Sequence, residues 1–252
     1  MNNVLAALWY REIIIYRRHF TTRGIMPILT GLVFFFVFFL PYKSLLSEAE
    51  MGQVVPALVL DTLLITLLIG IYETTARFYW ETQRSNGMAS LYEMGRFHRQ
   101  PLFFIAQSII GLAKGFVHLI VVLAILIFLT EISLDQVNMQ ASILFMLIGA
   151  LQIVSLSKII GLMVKHVDSL SKLLYVGFLP IMMISGLYLI NGSPLTSIPE
   201  IAFYLPPYNW MAGLDAAFLN GVIDYGFLLI CLIETIFLLW LSATFFHLDG
   251  DS

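Results

Sequence analysis

Charge is scarce in this sequence. Of 252 residues only 12% are Asp, Glu, Lys or Arg, about half the share of a soluble domain, while 60% are hydrophobic. A soluble chain cannot hide that much apolar surface from water, so the bilayer must be the solvent. Soluble enzymes, secreted disulfide scaffolds and disordered tails are excluded together. Cysteine is almost absent: Cys231 alone rules out a disulfide framework and any cysteine-based zinc cluster. There is no G-x-x-x-x-G-K-[ST], so the chain cannot cradle ATP phosphates itself, and no H-E-x-x-H for a zinc hydrolase. G-x-S-x-G is missing too. The five His are scattered and the acidic residues form no paired Asp-rich motif. The sequence therefore offers no catalytic constellation, no metal site and no resident cofactor. A formal net charge of −3 argues against nucleic acid as a partner.

What the chain does have is apolar length. Six stretches stand out, at 25–40, 54–72, 102–129, 141–164, 173–190 and 227–246. A helix needs roughly 17–25 apolar residues to cross a bilayer. The first stretch is short by that measure and must borrow from 21–24 or 41–42; the third is long enough to tilt or to extend into the cytoplasm. The expected fold is an all-α membrane protein of six transmembrane helices, one domain over 1–252. Residues 1–24 precede the spans and lack the short apolar core of a cleaved signal peptide. The basic residues set the orientation. Arg11, Arg17, Arg18 and Arg23, then Arg77, Arg84, Arg96 and Arg99, then Lys165 and Lys172 all fall on one side, against Lys43 on the other. That bias places both termini in the cytoplasm, in a multi-pass protein of the plasma membrane.

Three segments between or before the spans are distinctive. In 1–24, Leu8 and Trp9 alternate with Arg11, Glu12, Arg17 and Arg18 near helical spacing, which suits an amphipathic helix lying in the inner interface. After the second span, Glu73, Arg77, Glu81 and Arg84 continue at i, i+4 spacing with alternating sign, so the helix is expected to run on past the membrane. A short docking helix, or an ordinary turn, is expected in 86–95, built from Asn86, Met88, Ser90, Leu91, Tyr92, Glu93 and Met94. Asn86 can cap its start, and Ser90 with Glu93 fits a capping box. The outer loop 191–226 has no Lys or Arg and carries Pro199, Tyr204, Pro206, Pro207, Tyr208, Asn209 and Trp210. It is too apolar for a solvated loop and too broken for a span. The expected arrangement is two short re-entrant helices, one ending near Pro206 and one starting near Asn209, with the tyrosines and Trp210 lining an exit gate; the alternative is a surface cap with an aromatic belt.

Inside the spans, Asp61, Lys114 and Glu234 are costly in hydrocarbon. They are expected either to hold the bundle together, Lys114 pairing with Asp61 or Glu234, or to grip a polar substrate or proton. Lys158 is expected to snorkel from the inner end of its span.

Several motifs, in this order, resemble the ABC-2 type permeases, the membrane subunits of ATP-binding-cassette exporters. Leu8-Trp9-Tyr10-Arg11-Glu12 followed by Tyr16-Arg17-Arg18 is similar to the family's opening "L-x-x-R-[DE]…R-[YR]". Leu179-Pro180-Ile181-Met182-Met183-Ile184-Ser185-Gly186 is similar to its "LP-L-M-x-L-SG" stretch. Ile198-Pro199-Glu200-Ile201 and Leu205-Pro206-Pro207-Tyr208-Asn209-Trp210 are similar to its outer segment. Asn86-Gly87-Met88-Ala89-Ser90-Leu91-Tyr92 stands where the family has a coupling element, without its usual Thr-Leu-Glu run.

The resemblance implies a permease dimer, expected to be a homodimer in the bacterial inner membrane, with a path between the two copies. It implies separate cytoplasmic ABC ATPase subunits that carry ATP and Mg and dock on the interfacial and coupling helices. It implies export of an amphiphile such as a lipid-linked glycan, a lipid or a drug, with membrane lipids as surroundings. Gly31, Gly70, Gly177 and Gly186 would let spans of the two copies approach closely. The competing function is an ion-gradient-driven carrier or channel working through Asp61, Lys114 and Glu234, although the chain has no inverted repeat with paired broken spans.

Overall fold

The computed structural model describes residues 2–84, 100–132, 137–185 and 205–248. Among them the chain is helical, without strands. Helix α1 covers Asn2–Arg18. One wide π-helical turn, Phe20–Ile25, leads into α2, Met26–Leu45. Helix α3 covers Glu48–Arg84, α4 Gln100–Thr130 and α5 Met139–Met163. Helix α6 covers Val167–Ile184, with its middle, Leu173–Phe178, wound as π-helix. Helix α7 covers Pro206–Leu219 and α8 Tyr225–Leu248.

Six of these helices are long and apolar enough to cross a membrane, over Phe20–Leu45, Val54–Glu81, Phe104–Thr130, Met139–Met163, Val167–Ile184 and Tyr225–Thr244. Their number and order are those expected from hydropathy. The first borrows at both ends, running through the π turn and past Pro41 to Leu45. Pro41 sits inside the helix, which bilayer helices tolerate when the freed backbone groups are satisfied locally. The second runs on through Arg84, as the charge spacing indicated. Asn138 caps α5: its side-chain oxygen accepts from the Ala141 amide at 3.1 Å.

Helix α3 is the centre. It packs against α2, α4 and α5, and α5 in turn packs against α7 and α8. In the apolar window of α3, 83% of residues are buried, against 22–28% for α2, α4, α6 and α8. Those four helices turn Val33, Phe128, Val176 and Trp240 outward, the surface a lipid solvent accepts. Buried threonines on α3 satisfy themselves: Thr62, Thr66 and Thr74 each donate to the carbonyl four residues back.

Two glycines expected at a contact between copies are used within the chain. A Cβ on Gly31 would strike the Thr66 side chain, and one on Gly70 would lie 3.2 Å from the Gly115 backbone and 2.7 Å from His118. Both are positions where α2 and α4 close on α3. Gly177 has only Leu173, its own helix neighbour, within reach, and Gly186 lies outside the described residues.

Candidate functional site

Polar side chains gather at two places, one where α1 meets α3 and α4, the other where α7 meets α5 and α8. At the first, α1 follows α4 in register. Leu8 clusters with Ala106 and Ile110 of α4 and with Phe78 and Tyr79 of α3. Glu12 pairs with Lys114, and Tyr16 stacks on His118 with ring centroids 6.4 Å apart. Each four-residue step along α1 matches a four-residue step along α4, so the two helices run side by side for about two turns. The helix expected before the spans is present over Asn2–Arg18.

Glu12 is 3% exposed and carries the centre of this cluster. Lys114 donates to it, and Arg11 approaches its other oxygen at 3.6 Å. Arg11 continues to Glu81 at 3.3 Å, where Arg23 also arrives at 3.0 Å and Arg77 at 3.6 Å. The expected pairing of Lys114 with Asp61 or Glu234 is thus corrected. Asp61 is buried on α3, nine residues outward of Gly70, which is level with His118; nine residues are about 14 Å of helix. Glu234 lies on α8, which packs on α5 and α7. Charged contacts of this kind tie α1, the π turn and the inner stretch of α3 into one unit with α4. Arg17 and Arg18 stay exposed, while Trp9 is half-buried against the Leu8 cluster.

Lys158 does not snorkel. It is fully buried, with its ammonium donating to Ser108 Oγ at 2.7 Å and to the Phe104 carbonyl at 3.4 Å. Helix α5 is wedged tightly here: a Cβ on Gly161 would meet the Ala76 carbonyl, so the lysine stem has no route outward. Hydropathy missed this site because a lysine near a span end reads the same whether it faces lipid or a neighbouring helix.

At the second cluster, α7 runs antiparallel to α5. Near the start of α5, the Asn138 amide donates to the Ala217 carbonyl at 3.1 Å and its side chain to the Gly221 carbonyl at 3.4 Å. Further along, Gly213 faces the Phe145 ring and Gly149 faces the Trp210 ring. Gly149 lies ten residues into α5, about 15 Å along its axis. There Asn209 donates to Glu234 at 2.7 Å. Gln152 donates to Thr235 Oγ1 at 3.2 Å and reaches Glu234 at 3.5 Å.

Pro206 and Pro207 open α7, which starts three residues before the expected Asn209, while the expected helix ending near Pro206 lies outside the described residues. A first-turn proline lacks only an N–H that has no helical partner anyway, and its fixed φ suits the turn. Asn209 is therefore inside the helix, not its cap, and its amide is spent on Glu234. Trp210 is 1% exposed, packed on Gly149, and so does not line a vestibule. Tyr208 is half-buried with its ring edge-on to Phe227 at 6.2 Å. Pro199, Tyr204 and the whole segment of Asn86, Met88, Ser90, Leu91, Tyr92, Glu93 and Met94 lie outside the described residues. Asp215, which the sequence did not single out, sits on the same helix with its carboxyl pushed up by burial to about 7.

A family model described as ABC-2 type transporter matches residues 3–211. The chain belongs to the ABC-2 type transporter family. No curated protein and no solved structure matches it. The family match runs from α1 to the first turn of α7, so this ABC-2 chain carries Glu12, Lys114, Gln152 and Asn209 inside the matched region and Glu234 beyond it.

Glu234→Leu in this ABC-2 chain is expected to cost about 1–3 kcal/mol, because the Asn209 amide, only 8% exposed, loses its acceptor. Glu234→Gln keeps an oxygen there and is expected to stay within about 1 kcal/mol. Thermal unfolding of the two purified variants measures the difference; equal melting temperatures would show that the Asn209 bond contributes nothing.

Proposed function

We propose that the chain is the permease subunit of an ATP-driven exporter that moves an amphipathic substrate outward, with the energy supplied by separate ATPase subunits. The match to the ABC-2 family over 3–211 carries this reading. No ATP-binding loop occurs in the sequence, so hydrolysis, with its ATP and Mg, belongs to a partner chain. The lysine and arginine bias supports cytoplasmic termini in a bacterial inner membrane. Among the described residues the helices close around a buried α3, which supports a path between two copies, in a dimer of permeases with closed two-fold symmetry.

Two features support the mechanism. The ionic cluster of Arg11, Glu12, Arg23, Arg77, Glu81 and Lys114 joins α1 to the spans, so a push on α1 from below is passed to α3 and α4 as one rigid unit. At the opposite end α7 is 14 residues long, about 21 Å at the helical rise and too short to span. Its first turn meets the middle of α5 and its last turn meets the start of α5, which supports a helix re-entering from the outer face beside the exit. Lys114 is neutralised by Glu12, which weighs against an ion-gradient carrier that would need it free.

The test is co-purification and coupling. The tagged chain should bring down an ATPase subunit, and the pair should hydrolyse ATP faster when substrate is present. Leu91→Glu with Tyr92→Glu, placed in the segment where the family couples, should leave the chain in the membrane and reduce substrate-stimulated hydrolysis at least tenfold. Apolar and aromatic anchors of this kind dominate docking energies. Unchanged coupling in that double variant would remove the segment from the mechanism.

A further inference from the structure

Between α1 and α4 lies an open cavity of about 230 Å³. Its walls include Ile13 and Tyr16 from α1 and Ala113 and Val117 from α4, with Arg17 beside it. Ala113 leaves the room, being the small residue between the two helices. Ile13 and Val117 are more than half exposed, and Ile109 and Ile120 continue the same apolar surface along α4. The cavity therefore opens onto the face of the bundle that lipid covers.

The charge around it is one-sided. Glu12, the carboxylate in the wall, is already matched by Lys114 and Arg11. Arg17 is exposed and has no carboxylate partner among the described residues. An apolar slot with an uncompensated guanidinium beside it matches a molecule with a hydrocarbon chain and a single negative headgroup. Guanidinium binds phosphate through two parallel N–H donors. A zwitterionic headgroup fits less well, because its ammonium would meet the same guanidinium.

We propose that this groove is a binding site for an anionic phospholipid, with an acyl chain lying between α1 and α4 over Ala113 and the phosphate on Arg17. Bound there, the lipid seals α1 against α4 beside the buried Glu12–Lys114 pair.

The full chain, purified in detergent micelles doped with equal phosphatidylglycerol and phosphatidylcholine, tests the site by the lipid retained after washing. Phosphatidylglycerol should be enriched, and Arg17→Gln should reduce that enrichment about fivefold, the effect of one basic residue at an anionic surface. Ala113→Trp should abolish it by filling the groove. Because Arg17 is exposed and unpaired, Arg17→Gln should melt with the wild type, which keeps the result readable even if Ala113→Trp folds poorly. Equal retention of both lipids by the wild type would overturn the proposal, as would enrichment that survives Arg17→Gln. Displacement by inorganic phosphate alone would mark a bare anion site and overturn the acyl-chain part. The readout needs no ATPase and no transport, so its failure is separate from failure of the exporter reading.

Discussion

Lys114→Ala is expected to lower stability by about 3–5 kcal/mol, the usual cost of breaking a buried ion pair by removing one partner. The loss comes less from the missing attraction than from what remains. Glu12 is 3% exposed, and without Lys114 its carboxylate has only Arg11 at 3.6 Å. Arg11 is partly solvated and already shared with Glu81 at 3.3 Å, so it cannot take over both oxygens. Removing both charges should cost less than removing one: Glu12→Met with Lys114→Met fills similar volume and leaves no orphan, and such swaps are often neutral or stabilising. The double variant is therefore expected to melt above the Lys114→Ala single. Chemical or thermal unfolding of the purified chain decides it. A single variant within about 1 kcal/mol of the wild type would mean that water reaches Glu12.

The same pair shows where sequence reading stopped. Span number, order and the run-on of the second helix were legible, because each follows from the length and period of apolar and charged residues along one helix. The partner of Lys114 was not. A lysine inside an apolar stretch announces that a partner exists, but hydropathy says nothing about which face it occupies. Apolar runs mark only the charges inside the spans, and the partner, Glu12, sits on α1, outside them. Leu8, Glu12 and Tyr16 do carry a signal: they recur at four-residue spacing, as Ile110, Lys114 and His118 do, and two such stripes with opposite charges in the same place are a pairing pattern.

The start of α7 at Pro206, and not at Asn209, has a related reason. Pro206-Pro207 breaks a helix only when a helical turn precedes it; at the first turn it starts one. Gly31 and Gly70 were correctly read as points of close approach, but a glycine does not say whether the approaching helix belongs to the same copy. The segment containing Leu91 and Tyr92 lies outside the described residues, so its role rests on the family's pattern.

Trp210→Ala is the second substitution with a large expected effect, again about 3–5 kcal/mol, the range for deleting a buried tryptophan. The ring is 1% exposed and packs over Gly149, where an added Cβ would come 2.6 Å from the indole Cδ2 and Cε3 and 2.9 Å from Cε2. Glycine at 149 and tryptophan at 210 therefore occupy one volume between them. Gly149→Leu alone should cost about 1–3 kcal/mol by overpacking, since the indole cannot retreat: Asn209 beside it is bonded to Glu234 at 2.7 Å. Placed together, the leucine would fill part of the space the indole vacates, so the two losses should not add. The double variant is expected to recover at least about 1 kcal/mol relative to the sum of the singles, within the range measured for residues in direct contact. Export should respond differently. If α7 lines the exit, moving its first turn disturbs the Asn209–Glu234 bond, and transport should stay depressed in the double variant even where stability returns. Strict additivity in unfolding would show that Trp210 and Gly149 do not share that volume, and full recovery of export would separate α7 from the exit.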